Sequence, residues 1–299
     1  MGIDMRFACA VLLTLAASAG SAAGVFSTLS MRDNPDGATL LSAAATFSNS
    51  INVYGLSLSN KRAHGNDGRR FRMGLDNGLK SGFSGLVENV AIFVNGIPAR
   101  VLQLRKDTLR KWSGPDGAEG VEFKLNFDGA RVDVRFWMCP VSPVLFGEVA
   151  KSEDGVQFTP VTNVVVKITA IPSYLDCGQG RKTRFYRYSR QVQTASRLLE
   201  LPPSRRVEMC HDDLYFILQD GEYDGSAKGK GNGPSATWPI SPAPGRVVLN
   251  DSWTTSVEYA PDLSRPFQFA LLEYRSVRIS NSDFKERVRR LLNFDGKCD

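Results

Sequence analysis

Residues 121–138 read VEFKLNFDGARVDVRFWM, and this stretch decides the fold. Apolar residues alternate with charged or polar ones on both sides of Asp128-Gly129. This alternation has the two-residue period of a strand that is buried on one face only. An Asp-Gly pair tolerates the positive backbone φ angles that a two-residue hairpin turn requires. The stretch therefore predicts a β-hairpin.

The register of this hairpin follows from its turn. With Asp128-Gly129 as the loop, Phe127 is predicted to face Ala130, and Leu125 to face Val132. The same register places Phe123 opposite Val134 on the apolar face, and the charged pairs Lys124–Asp133 and Glu122–Arg135 on the other face. Apolar pairs on one face and opposite charges on the other are typical of antiparallel strands, and a helical period cannot reproduce them.

The rest of the sequence repeats this pattern of short strands and tight turns. Asp-Gly or Asn-Gly pairs, which are typical of tight turns, occur at eleven places in the chain. A second hairpin is predicted at Asn95-Gly96, with Pro98 at a sheet edge or a bulge because proline lacks an amide hydrogen. Further strands are predicted at 52–59, 144–150, 163–171, 214–218, 246–249, 253–259 and 267–274. One helix is predicted from Asp283, as the N-cap, to Leu292.

These features predict an all-β protein. We expect an antiparallel β-sandwich, or an extended double-sheet domain, with a short C-terminal helix. Residues 24–299 are interpreted as a single domain that contains a Gly/Pro-rich loop at 221–245, although a division into two domains stays open.

Residues 1–23 have the three parts of a secretory signal peptide. A short basic start at Met5-Arg6 precedes the apolar run 7–15, and small residues at 17–23 offer cleavage before Gly20 or Gly24. We therefore expect a secreted or periplasmic protein whose mature chain has no membrane span, because no apolar run after residue 23 is long enough.

Net charge and cysteine content limit the kinds of partner, disulfide and metal site that we expect. The formal net charge of +6 mildly favours anionic partners, and nucleic acid is not expected for an exported chain. Four cysteines follow the predicted signal peptide, and their pairing stays open: Cys139, Cys177, Cys210 and Cys298. No C-x-x-C motif or multi-histidine cluster occurs, so no metal and no cofactor is predicted.

The sequence lacks the usual catalytic signatures. It has no G-x-S-x-G elbow, no H-E-x-x-H motif and no phosphate-binding loop. His211 and Asp212 are the weak catalytic candidates, as a general base and its partner. A polar turn before a strand is the favoured interpretation of both, and His64 is interpreted as a solvated loop residue. The catalytic residues therefore stay unassigned.

The best candidate for ligand contact is residues 181–190, which read RKTRFYRYSR. If this stretch is extended, four side chains share one face: Arg184, Tyr186, Tyr188 and Arg190. Arginine binds carboxylate or sulfate through two parallel hydrogen bonds, and a tyrosine ring stacks on a sugar. A solvated strand whose cationic stems cover apolar surface is the alternative. Trp112 and Trp238 are predicted near the surface, whereas Trp137 is expected to pack under a second layer.

Three functions are compatible with these observations. The favoured one is an exported β-sandwich protein that binds an extracellular polymer, above all an acidic carbohydrate. The alternative is an exported carbohydrate-active enzyme, a glycoside hydrolase or polysaccharide lyase, because paired carboxylates need no histidine. The third is a structural surface protein. Fold does not choose among them, and the sequence does not assign an oligomeric state.

Overall fold

The computed structural model describes most of the chain beyond residue 23. The described residues are 24–33, 40–59, 72–76, 87–98, 106–127, 129–153, 159–170, 174–177, 182–184, 214–218, 235–249, 255–273, 280–292 and 298. The predicted signal peptide lies outside them.

Eighteen strands and one α-helix are described, and we label them in chain order. The strands are β1 Phe26–Asp33, β2 Leu40–Ser48, β3 Val53–Ser59, β4 Arg72–Asp76, β5 Val87–Val94, β6 Ile97–Pro98, β7 Arg110–Ser113, β8 Glu119–Phe127, β9 Ala130–Met138, β10 Leu145–Lys151, β11 Val164–Ala170, β12 Tyr174–Cys177, β13 Lys182–Arg184, β14 Tyr215–Leu218, β15 Ser235–Pro239, β16 Gly245–Leu249, β17 Thr255–Tyr259 and β18 Phe267–Glu273. The helix, α1, is Asn281–Leu291. Among the described helices, none is long and apolar enough to cross a membrane.

The strands form two antiparallel sheets of nine described strands each. The first has the order β1-β2-β3-β4-β5-β11-β17-β16, with the short β6 beside β5. The second has the order β13-β12-β14-β15-β18-β10-β9-β8-β7. Strand β18, the last along the chain, lies between β15 and β10. The two sheets and the single helix confirm the predicted all-β, sandwich-like fold class.

One apolar cluster joins the inner faces of the two sheets. Phe47, Leu56 and Val166 contribute from the first sheet, and Phe136 and Phe269 from the second. The rings of Phe136 and Phe269 meet edge to face with centroids 6.1 Å apart. Burial of side chains of this size is the main favourable term in folding, so this cluster holds the sheets together.

The predicted hairpins are confirmed. Phe127 faces Ala130 and Leu125 faces Val132, as the sequence pattern predicts. The charged pairs also form, and Lys124 Nζ lies 3.1 Å from Asp133 Oδ1. At the second hairpin, Asn95 and Gly96 have φ angles of 52° and 78°, and Pro98 pairs with Phe93 of β5.

The structure differs from the sequence prediction in several elements. Five described strands were not predicted from the sequence: β1, β2, β4, β7 and β12. Strand β15 lies within the stretch 221–245 that composition predicts as a loop, because its glycines and prolines flank a buried segment, Ser-Ala-Thr-Trp. The N-cap of α1 is Ser280 and not Asp283, because the Ser280 hydroxyl accepts a hydrogen bond from Asp283 N at 3.1 Å. Asp283 therefore lies in the first turn of the helix, where a negative charge is favourable.

The outer face of the second sheet carries a second apolar cluster. Phe284 and Val288 of α1 pack there with Phe216 and Trp238. Cys139, directly after β9, forms a disulfide with Cys298, with Cα atoms 5.2 Å apart. The structure thus selects one cysteine pair that the sequence left open, and both cysteines belong to this cluster.

A turn of the first sheet is hydrogen-bonded to the second sheet. Asn49 Nδ2, between β2 and β3, donates to the carbonyl oxygens of Cys139 at 2.8 Å and Ser142 at 2.7 Å. Asn52 Nδ2 donates to Pro143 O at 3.0 Å and to Glu273 O at 2.9 Å. These side-chain amides satisfy carbonyl groups of the turn between β9 and β10 and of the last residue of β18, and they connect the two sheets at one end of the sandwich.

The core is packed so closely that one added methyl group is expected to lower the stability of the protein. A Cβ atom at Gly147 in β10 would lie 2.3 Å from the ring of Phe269 in β18. We expect Gly147→Ala to lower the free energy of unfolding by about 1–3 kcal/mol in urea denaturation, because the ring has to move. Phe269→Leu should make room, so the double variant should lose less stability than the sum of the two single losses. Additive losses would contradict the predicted clash.

Candidate functional site

The structure places the first residue of the predicted ligand face and leaves the others outside the described residues. Arg184 ends β13, and its backbone pairs with Tyr174 of β12. The predicted site residues that lie outside the described part of the chain are Tyr186, Tyr188, Arg190, His211 and Asp212. The site prediction and the weak catalytic candidates therefore stay predictions.

Strand β13 is an edge strand of the second sheet within the described part of the chain. Among the described strands it pairs with β12 alone, and it ends the second sheet. Lys182, Thr183 and Arg184 are extended, so the basic stretch begins in the conformation on which the alternation argument depends. An edge strand has one side whose backbone groups are not bonded within the sheet.

A row of polar side chains crosses the outer face of the second sheet. It consists of one residue from each of five neighbouring strands, β7, β8, β9, β10 and β18. These residues, which we call the polar row, are Arg110, Glu122, Arg135, Glu148 and Gln268. Each one lies directly opposite the next in the strand register, so the row runs perpendicular to the strands.

Arg135 lies at the centre of the polar row, between two carboxylates. Its Nη2 donates to Glu122 Oε2 at 3.2 Å, and its Nη1 donates to Glu148 Oε1 at 3.1 Å. Arg110 Nε donates to the second oxygen of Glu122, and Gln268 Nε2 donates to the second oxygen of Glu148 at 2.7 Å. The glutamate side chains are 19% and 14% exposed, and Arg110 is 75% exposed. The row is thus partly buried and internally bonded.

A row of aromatic side chains lies beside the polar row. Trp112, two residues after Arg110, begins it, and the Arg135 guanidinium lies 4.6 Å from the centroid of the Trp112 ring. The Trp137 ring lies 5.8 Å from that of Trp112 and is stacked on Phe146 at 5.5 Å. Trp137 therefore packs within a layer, as expected from the sequence.

The prediction that Trp238 lies near the surface is wrong. Trp238 is buried in the second apolar cluster, while Trp112 is half-buried as the outermost member of the aromatic row. The difference arises because Trp238 belongs to the inner strand β15, which pairs with β14 and β18. Trp112 belongs to β7, the last strand of the sheet.

Sequence reasoning found two of the five members of the polar row, and Arg110 was missed because strand β7 was not predicted. The hairpin register by itself pairs Glu122 with Arg135. Glu148 and Gln268 were missed, because β10 and β18 join the hairpin through sheet topology that no local pattern encodes. The available signal was the alternation in residues 145–151, which read LFGEVAK and place Phe146 and Glu148 on one face.

Two further features complete the description of this region. The loop after β15 lines an open depression of about 470 Å³, and Ile240 N in this loop donates to Gln268 O at 2.8 Å. Within the described residues, no three histidine, cysteine, aspartate or glutamate side chains converge on a possible metal site.

Comparison with known proteins does not assign a family. No protein-family model matches the chain, and no curated protein matches it. One similar solved structure is the α-N-acetylgalactosaminidase NagBb from Bifidobacterium bifidum in complex with Gal-NHAc-DNJ, with a TM-score of 0.47 and 9% sequence identity. The match covers 85% of this chain and 38% of the NagBb chain.

Proposed function

We propose that the protein is exported and binds an extracellular polymer, above all an acidic carbohydrate, at the edge of the second sheet. The binding face consists of Arg184, Tyr186, Tyr188 and Arg190. The observation that carries this proposal is the position of Arg184 at the end of an edge strand, β13. The net charge of +6 supports an anionic ligand.

The chemistry of this face suits a charged sugar chain. In an extended strand, residues two apart point to the same side, so the two arginines would flank the two tyrosines. Each guanidinium offers a planar fork of N–H groups that matches a carboxylate or sulfate. The tyrosine rings supply apolar area at a small cost in side-chain entropy, and their hydroxyl groups add hydrogen bonds.

The disulfide supports the exported location. Structural disulfides form and persist in oxidising compartments and are rare in the reducing cytosol. Cys139 and Cys298 are both buried and belong to the outer apolar cluster of the second sheet, so their bond is part of the packed structure. The signal-peptide pattern at residues 1–23 points the same way.

The second candidate, a carbohydrate-active enzyme, has one observation in its favour. Glu122 and Glu148 lie two strands apart, so their backbones are about 10 Å apart. This spacing is close to the separation of about 6.5–9.5 Å between the two catalytic carboxyl groups of an inverting glycosidase. However, Arg135 lies between the two carboxylates, where an inverting enzyme needs room for its substrate and water, and all four carboxylate oxygens already accept a hydrogen bond within the row. The arrangement therefore suits binding better than hydrolysis.

The proposal is tested by measuring polysaccharide affinity of a double variant. We expect Arg184→Ala/Arg190→Ala to weaken binding of polygalacturonate or alginate at least about tenfold, because two charge-assisted hydrogen-bonding groups are lost. Added salt should weaken the wild-type complex, because salt screens ion pairs at a protein surface. The matched control is Arg32→Ala/Arg265→Ala, which removes two exposed arginines elsewhere and should leave the affinity unchanged.

Three outcomes decide the proposal. Equal affinity of the wild-type protein and the Arg184/Arg190 variant would remove this face as the binding site. Equal losses in both double variants would indicate only a long-range charge effect. Failure of the wild-type protein to bind any acidic polysaccharide would contradict the proposed function itself.

A further inference from the structure

We propose that the polar row and Trp112 form a second recognition surface, which binds a neutral, hydroxyl-rich sugar chain. This inference rests on the proposed carbohydrate-binding function, and it adds a surface that prefers uncharged to acidic sugar chains. The surface lies on the outer face of β7–β10 and β18, whereas the basic edge strand β13 ends the far side of the same sheet.

The charge of the polar row selects an uncharged ligand. Its two arginines and two glutamates alternate along the row, and the fifth member, Gln268, is neutral. The formal charge of the row is therefore zero. The sign of the charge changes at each strand spacing of about 4.8 Å, so a charged ligand group that contacts a side chain of opposite sign also lies close to one of its own sign, which is unfavourable. A chain of hydroxyl groups meets neither repulsion.

The row has hydrogen-bonding capacity left for such a ligand. Each of the four carboxylate oxygens of Glu122 and Glu148 accepts one hydrogen bond from within the row. A carboxylate oxygen has two lone pairs, so each retains one acceptor position. Arg110, with its side chain 75% exposed, bonds to Glu122 through Nε and also carries Nη groups that can donate. Sugar hydroxyls donate and accept, and they match both kinds of group.

The surface is already ordered without a ligand. Arg135 is held by two carboxylates and by the Trp112 ring, and its buried Nε has no acceptor among the described residues. The two glutamates are thereby fixed in position on rigid strands, which lowers the entropy lost on binding. Four strand spacings give the row a length of about 19 Å. Trp112 adds apolar area beside it for contact with a sugar ring.

The experiment compares a neutral and an acidic polysaccharide on the same variants of the full chain. The probes are glucomannan and polygalacturonate, measured by affinity electrophoresis or calorimetry. We expect Glu148→Gln and Trp112→Ala each to weaken glucomannan binding at least about tenfold, and to change polygalacturonate binding by less than about twofold. The matched control is Asp133→Asn, which lies on the same outer face in the neighbouring Lys124–Asp133 pair and should leave both affinities unchanged.

The outcomes separate this inference from the proposed function. Binding of polygalacturonate but not of glucomannan overturns the inference and leaves the proposed function intact. Glucomannan binding that all three variants leave unchanged, or reduce equally, also overturns it. If neither polymer binds, the proposed function fails and the inference with it. If thermal unfolding shows that Trp112→Ala does not fold, the shape-conserving Glu148→Gln variant decides the result.

Discussion

Removal of the Cys139–Cys298 disulfide is expected to lower the free energy of unfolding by about 2–5 kcal/mol. The bond closes a loop between residues 159 positions apart, so it strongly restricts the unfolded chain. Both cysteines are also buried in the apolar cluster that includes Phe284 and Val288 of α1. Without the bond, burial of these side chains would have to hold the helix against the sheet.

Two double variants measured with and without reductant test this expectation. Cys139→Ala/Cys298→Ala should unfold at a lower urea concentration than the wild-type protein under non-reducing conditions. Cys177→Ala/Cys210→Ala is the matched control, since it keeps the described bond and should still lose stability when reductant is added. Identical unfolding midpoints for the Cys139/Cys298 variant and the wild-type protein would show that the bond contributes nothing to stability.

Leu125→Ala is expected to lower the free energy of unfolding by about 2–5 kcal/mol. Leu125 lies on the inner face of β8, only 2% exposed, opposite Val132 of β9. Its truncation removes buried methyl groups and leaves a cavity that the rigid sheets cannot close fully.

The control for this variant is Arg131→Ala on the outer face of the same hairpin. Arg131 is exposed, so its replacement should change stability by less than about 0.5 kcal/mol. Urea denaturation of both variants gives the comparison. A loss below about 1 kcal/mol for Leu125→Ala, or equal losses for the two variants, would mean that the inner face of the hairpin is not core.

The hairpins could be predicted from local sequence patterns, because strand period and turn chemistry are local properties. The pairing of Phe127 with Ala130 follows from a two-residue loop and from burial of one face, and a shift of one residue would place Lys124 opposite Val134 and Asp133 opposite Leu125. The predicted hairpin at Asn95-Gly96 formed for the same reason. The helix cap was misplaced by three residues, since Ser280 and Asp283 are both good N-cap residues.

The candidate sites were less predictable, since their parts come from distant segments. The partners of Glu148 are Arg135 in β9 and Gln268 in β18, and the latter lies 120 residues away. No periodicity links such positions, and the same holds for Cys139 and Cys298. Strand β15 was not predicted, because a strand that is buried on both faces needs no alternation of apolar and polar residues. Its flanking glycines and prolines are also typical of a loop.

The position of β18 has a consequence for the order in which the protein can be made. Strands β10 and β15 each bond to β18 on one side, so each lacks that neighbour until residues 267–273 have left the ribosome. A partly emerged chain thus presents two open strand edges, at which a second nascent chain could pair. Folding of the second sheet is completed by its last strand, and a factor that shields β10 and β15 during synthesis would act in that interval.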